Sequence, residues 1–197
     1  FCSVGSIWGS SYTCFSAARV VEDIEVLVAD HGATGIYFRE DEFTLNMRRV
    51  RLICEQLIER DVGIKWMCEA RVDSLLERES IALMKQAGCI GVYVGVESGS
   101  DRMLEIFNKG ISAKQIREAF FNCRRAGLMT AASIIVGTGL ETKEDVRQTE
   151  MLLREIQPTV TWRNQFTGIP YSPLYRKLEN EGLYREKDDI GLLYPKV

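Results

Sequence analysis

The sequence predicts an α/β protein, a partial barrel of parallel strands, on three observations. Short hydrophobic strands and amphipathic helices alternate with a period of about 25 to 35 residues, as repeated β-α units do. Acidic or glycine-rich turns stand where the strands should end: Phe38-Arg39-Glu40-Asp41-Glu42, Glu69-Ala70-Arg71-Val72-Asp73, Gly95-Val96-Glu97-Ser98-Gly99 and Gly137-Thr138-Gly139-Leu140-Glu141. Right-handed crossovers bring all of these turns to one mouth, the end at which such barrels place their chemistry.

Each element has its own signal. A first helix opens near Ser16, carries Val20, Val21, Ile24, Leu27 and Val28 on one face, and stops at Gly32; a strand follows from Gly35 to Phe38. Asn46 caps a helix with Met47, Val50, Cys54, Leu57 and Ile58 inward, ended by Gly63, and Ile64 to Ala70 reads as a strand. A third helix runs to about Ala87 with Ile81 and Met84 inward, Gly88 stops it, and Ile90 to Val96 is the next strand. After a short helical stretch around Arg102 to Phe107, Ser112 and Gln115 form a capping box for a helix burying Ile116, Ala119, Phe120 and Cys123 up to Gly127. Thr130 to Val136 is a strand, and Thr142 with Asp145 repeats the cap signature for a helix with Val146, Leu153 and Ile156 inward. Pro158 ends it, Thr159 to Phe166 is the last strand, and a terminal helix begins near Pro173.

Composition excludes several classes of function. A length of 197 residues, 46% hydrophobic and 27% charged, describes one ordinary globular domain. The net charge of -3 has no basic block to grip a phosphate backbone, so nucleic acid is not an expected partner. No apolar run approaches the ~20 residues of a membrane span, and no signal segment opens the chain. Six cysteines without a Cys-x-x-Cys pair fit a reducing, cytoplasmic location. Cys54 and Cys123 fall on apolar helix stripes and Cys68 within a strand, as small buried hydrophobes do. His31, the sole histidine, sits at a helix end where its partial charge suits the dipole, so a zinc site of His and Cys ligands is not expected. The chain opens on Phe1 in mid-motif and reads as a fragment.

A set of motifs follows in order along the chain: Phe1-Cys2-Ser3, Ile7-Trp8-Gly9, Tyr37-Phe38-Arg39-Glu40-Asp41-Glu42-Phe43-Thr44, Ala70-Arg71-Val72-Asp73, Ala87-Gly88-Cys89, Gly95-Val96-Glu97-Ser98-Gly99-Ser100, Asn108-Lys109-Gly110-Ile111 and Gly137-Thr138-Gly139-Leu140-Glu141-Thr142. Together they resemble the radical S-adenosylmethionine (SAM) superfamily. The likeness spans Cys2 to Tyr175 and is strongest to the branch whose members often carry a cobalamin-binding domain. It implies a partial TIM-type (β/α)6 barrel lacking its first strand, with residues 1–197 forming one core domain. It also implies a [4Fe-4S] cluster, SAM as the cleaved cofactor, and a 5'-deoxyadenosyl radical as the product of cleavage. Cobalamin would enter through a domain outside this chain, and a flavodoxin or ferredoxin would supply the electron.

The same resemblance suggests roles for single residues. Cys2 matches the third cysteine of the family's Cys-x-x-x-Cys-x-x-Cys loop and Phe1 the aromatic beside the adenine; the first two cysteines are absent. Glu97 and Ser98 match positions that meet the ribose or methionine part of SAM, against a plain solvated loop. Gly137 would let backbone approach the adenine, against an ordinary turn glycine. Glu141 either supports the next helix through its dipole or meets the cofactor. Glu40 and Asp41 stand where relatives hold the SAM amino group, against an exposed acidic loop. Arg71 either pairs with Asp73 or grips the SAM carboxylate. Trp66 and Tyr93 read as core or pocket wall.

Two departures from the family pattern concern the substrate side. Ile169-Pro170-Tyr171-Ser172-Pro173-Leu174-Tyr175 is shorter than the family's turn by a Pro-Gly pair, and Thr13-Cys14-Phe15 replaces the usual arginines. Two readings compete with the enzyme: a barrel that lost its cluster and serves as a binding scaffold, and an unrelated barrel lyase with acidic mouth residues.

Overall fold

A computed structural model describes residues 9, 12–40, 42–168, 172–182, 184–187 and 192–195. Helix α1 (Ala17–His31) leads to strand β1 (Gly35–Phe38), α2 (Met47–Glu59), β2 (Lys65–Ala70), α3 (Arg78–Gln86) and β3 (Cys89–Glu97). Then come α4 (Asp101–Ile106), α5 (Ala113–Arg125), β4 (Met129–Val136), α6 (Lys143–Ile156) and β5 (Val160–Gln165). Helix α7 (Pro173–Asn180) precedes a small antiparallel pair, β6 (Tyr184–Lys187) and β7 (Leu192–Pro195), which the sequence patterns had not signalled.

The caps act as the sequence predicts. Ser16, Asn46 and Ser112 each accept a backbone N–H three residues on, and Ser112 with Gln115 completes a capping box. Gly32 takes a left-handed conformation at the end of α1, where its N–H reaches the Leu27 and Val28 carbonyls. Residue Gln157 turns left-handed before Pro158 forbids continuation of α6.

Strands β1 to β5 form one sheet in chain order, every pair parallel. Successive neighbours joined through helices give the open partial barrel expected of the sequence. One face of the sheet is the core. There Trp66, Cys68, Val92, Val94, Ala132 and Ile134 pack against Ile53, Cys54, Leu57, Ile81, Ile116, Phe120 and Leu152 of the helices. Trp66 is fully buried beside Phe38 and Phe43, and its indole N–H donates to the Ala87 carbonyl at 2.8 Å. Strand side chains alternate, so Met67, Glu69, Tyr93, Gly95, Ala131 and Ser133 face the opposite, concave side.

Two inward assignments fail. Leu27 is 40% exposed and Val146 is 49% exposed, whereas Leu152 is fully buried. The buried stripe of α6 runs through Asp145, Thr149, Leu152 and Ile156, partly or wholly covered, at the spacing a helix face requires. It begins on a buried carboxylate, which a hydrophobic pattern cannot register. A second, smaller cluster joins Met103 and Phe107 to Phe166, Leu174 and Leu178, seating α7 against α4.

Candidate active site at the carboxyl ends of the strands

The carboxyl end of β3 is the most specialised stretch of backbone. Its pairing with β4 shifts register between Gly95 and Glu97, and Glu97 adopts φ +63° without being glycine. Bulges re-aim side chains, and a left-handed non-glycine residue costs on the order of 1–3 kcal/mol, so surrounding contacts must hold it. The holding contact is an ion pair: Lys109 Nζ donates to Glu97 Oε1 at 2.9 Å, with the two side chains 22% and 9% exposed. A Cβ at Gly95 would lie 2.5 Å from Glu97 Oε1 and 2.7 Å from Lys109 Nζ. The missing side chain makes the room, and it places the pair above Gly95 on the concave face.

The turns after β1 and β2 add charge around this pair. Burial pushes the Glu42 carboxyl above its ordinary range; the Thr44 hydroxyl, Arg71 and Lys109 oppose that shift. Thr44 is itself buried, donates to Glu42 Oε1 at 3.1 Å and accepts from the Arg71 backbone N–H at 2.9 Å, tying the two turns together. Arg71 Nε donates to Asp73 Oδ1 at 2.9 Å and Arg71 Nη2 to Asp73 Oδ2 at 2.9 Å. Of the two readings of Arg71, the ion pair at the rim is the arrangement found, and the Arg71 hydrogen bonds hold the Asp73 carboxyl below its usual value.

Other predicted residues face elsewhere. Glu40 makes a bidentate pair with Arg49, at 3.0 and 2.8 Å, and Arg49 Nε also donates to the Phe15 carbonyl at 2.9 Å. That network binds the end of β1 to α2. The Ser98 hydroxyl lies 3.1 Å from Thr149 Oγ1 and accepts the Ser100 N–H at 3.1 Å. It borders a cavity of about 310 Å³ between β4 and α6, lined by Ile134, Val136, Val146 and Leu153 among others. Glu141 accepts from the N–H groups of Gly137 at 3.2 Å and Thr138 at 2.7 Å. It thus braces the turn in which Gly137 stands at φ +78°, directly after the strand next to Glu97. Phe1, Cys2 and Asp41 lie outside the described residues.

Lys109 and Glu42 carry the site's electrostatics, yet pattern reading gave neither a role. Lys109 belongs to a motif quoted only for its likeness, and Glu42 ends an acidic run that looks like solvated surface. The one available signal was Gly95, a small residue two positions before a carboxylate on a concave face.

Iron ligands are a separate matter. Among the described residues no group of three or more His, Cys, Asp or Glu side chains is placed to hold a metal ion. Burial pushes the thiols of Cys54, Cys89 and Cys123 up to about 12 and that of Cys68 well above its usual value, which keeps them protonated. Cys14 is exposed and lies beside Tyr12, away from the other described cysteines. The described residues therefore do not fit a [4Fe-4S] cluster. Reconstituting this chain anaerobically with iron and sulfide should yield no stable cluster absorption, because Cys2 is the one cysteine at a family ligand position. Stoichiometric cluster would overturn the ligand argument.

Parallel strands wound in chain order, with a buried acid–base cluster at their carboxyl ends, define the core of a barrel enzyme. The chain belongs to the radical SAM superfamily, whose family model matches residues 1–153. It is 30% identical over 184 residues to the anaerobic magnesium-protoporphyrin IX monomethyl ester cyclase of Cereibacter sphaeroides, covering 92% of this chain and 30% of that protein. It is 36% identical over 149 residues to an uncharacterized methyltransferase of Pyrococcus horikoshii, covering 76% of this chain and 32% of the relative. The fold matches the radical SAM methyltransferase TsrM from Kitasatospora setae, solved with cobalamin and a [4Fe-4S] cluster, at a TM-score of 0.76 and 22% identity. That match covers 84% of this chain and 32% of TsrM. The chain thus spans about a third of the length of the curated relatives it matches.

Proposed function

We propose that residues 1–197 are the SAM-binding core of a radical SAM enzyme that reductively cleaves SAM to a 5'-deoxyadenosyl radical. In the whole protein this core works with cobalamin in radical methylation or a related reaction. The observation that carries the reading is the Lys109–Glu97 pair beside Glu42 at the strand ends. SAM offers an ammonium and a carboxylate on its methionine and two hydroxyls on its ribose, and this cluster offers an acceptor or donor for each.

Glu97 accepts the ribose hydroxyls, Lys109 donates to the amino-acid carboxylate, and Glu42, with Asp41 beside it in sequence, accepts the ammonium. The Gly137 turn, held by Glu141, presents backbone to the adenine, and Phe1 matches in sequence the family's aromatic beside that ring. Arg71 and Asp73 close the rim; Glu40 and Ser98 hold the β1 and β3 turns in place. Cys2 would ligate iron together with two further thiolates, and a [4Fe-4S] cluster, when bound, would supply the electron for reductive cleavage. The TsrM structure, solved with cobalamin, supports its use here. A flavodoxin or ferredoxin is the reductant, and the location is cytoplasmic. Among the described residues no helix is long and apolar enough to cross a membrane.

Calorimetric titration of the chain with SAM tests the reading. Saturable binding is expected, weakened about tenfold by Glu97→Gln, the loss of a charge-assisted pair of acceptors. Absence of binding, or full affinity in the variant, would sink it.

A further inference from the structure

Thr44 is held from three sides at the end of β1. It lies in the turn Phe43–Leu45 and is 1% exposed. Phe43, fully buried, stacks on Phe38 at 4.4 Å between ring centroids and lies 5.8 Å from the Trp66 ring, which fixes the turn from the core side. The Thr44 carbonyl accepts from the Ser74 hydroxyl at 3.2 Å, and the Thr44 hydroxyl accepts from the Arg71 N–H at 2.9 Å. Both donors belong to the β2 turn, so two neighbouring strand ends are joined twice through one residue.

An amide N–H can only donate, so the Arg71 bond occupies a lone pair of the Thr44 hydroxyl and leaves its single proton for another acceptor. That acceptor is Glu42 Oε1, at 3.1 Å. Among the described residues Glu42 Oε2 takes no hydrogen bond, so one oxygen is held and the other is open to a ligand. We propose that Thr44 is a positioning residue: by fixing one oxygen of Glu42 it presents the other to the ligand's ammonium. The identity of the ligand rests on the SAM reading; the clamp stands on the hydrogen bonds alone.

The clamp also sets the pH range of binding. Burial pushes the Glu42 carboxyl up and Asp73 adds to this, while the Thr44 hydroxyl, Arg71 and Lys109 hold it down. From β2 the Cys68 thiol feels the same charge and stays protonated, and Glu97 is paired with Lys109. Only the ionised carboxylate accepts an ammonium, so binding is present above the Glu42 midpoint and is lost as pH falls through it. Removing the Thr44 hydroxyl moves that midpoint up.

Calorimetric titration of the full chain with SAM and with 5'-methylthioadenosine, which keeps the adenine and ribose and lacks the ammonium, tests the clamp. Thr44→Val and Thr44→Ala, neither able to donate or accept, should each weaken SAM about tenfold at neutral pH, the loss of a hydrogen bond to a charged group. Both should leave 5'-methylthioadenosine within about twofold and move the acid limit of SAM binding to higher pH. Thr44→Ser restores the hydroxyl and should recover the affinity and the limit. Equal weakening of both ligands would show a merely structural role and overturn the proposal, as would full SAM affinity in Thr44→Val. A wild-type chain that binds neither ligand would refute the cofactor reading, and the clamp is then read from the carboxyl-carbon NMR signal of Glu42. A titration midpoint that rises in Thr44→Val and returns in Thr44→Ser upholds the clamp without the ligand; an unmoved midpoint overturns it.

Discussion

Lys109→Met should reduce SAM affinity by about a hundredfold and lower the stability of the chain by about 2 kcal/mol. The two effects have separate causes. Binding falls because the ligand carboxylate loses its cation and because Glu97, no longer held, relaxes from a left-handed backbone that only its contacts sustain. Stability falls because the Glu97 carboxylate, 9% exposed, loses the cation that pairs with it. Removing one member of a buried pair costs about 3–5 kcal/mol, and the partial exposure of Lys109 brings the figure down. The double variant Glu97→Gln with Lys109→Met separates the causes: it should recover most of the lost stability and none of the lost affinity. Urea denaturation and calorimetry read the two quantities, and a Lys109→Met protein that binds SAM like the wild type would contradict the assignment.

Asp145→Ala should be the most damaging change outside the site, at about 3 kcal/mol. Its buried carboxylate accepts from the Thr142 N–H at 2.8 Å and the Thr142 hydroxyl at 2.6 Å, completing the capping box of α6. It also accepts from the Ser100 hydroxyl and from Arg102, binding the start of α4 to the start of α6. A lost cap costs about 1 kcal/mol and lost charged hydrogen bonds about 1.5–3 kcal/mol. These bonds, Arg102 foremost, hold the Asp145 carboxyl well below the usual carboxylate range. A depressed native value contributes stability above the unfolded value, about 3.9, and loses it as pH falls toward the native one. The gap between wild type and Asp145→Ala in urea should therefore be full at neutral pH and shrink below about pH 4. A gap unchanged at pH 3 would show that the charge contributes nothing.

The loop this network anchors runs from Glu97 through Ser98, Gly99 and Ser100. Asp145 thus acts on the site by fixing the loop's far end, and its removal should weaken SAM binding less than Lys109→Met does.

Helix limits, caps and strand order were readable from the amino-acid sequence because they depend on contacts a few residues apart. Ser112 and Gln115, Thr142 and Asp145, and Gly32 each announce their element through local hydrogen bonding that any tertiary setting preserves. The location of the mouth was readable as well, since the handedness of β-α-β crossovers leaves one choice. Which partner each charged side chain would take was not. Glu40 turns to Arg49, Ser98 to Thr149, Glu141 to the Gly137 turn, and Glu97 to Lys109. These choices join residues from neighbouring elements or turn a side chain back on its own loop, and only packing decides which donor arrives within reach. The same holds for Trp162: the sequence places it in the last strand, and the register with Ser133 and Gly95 brings it to the concave face.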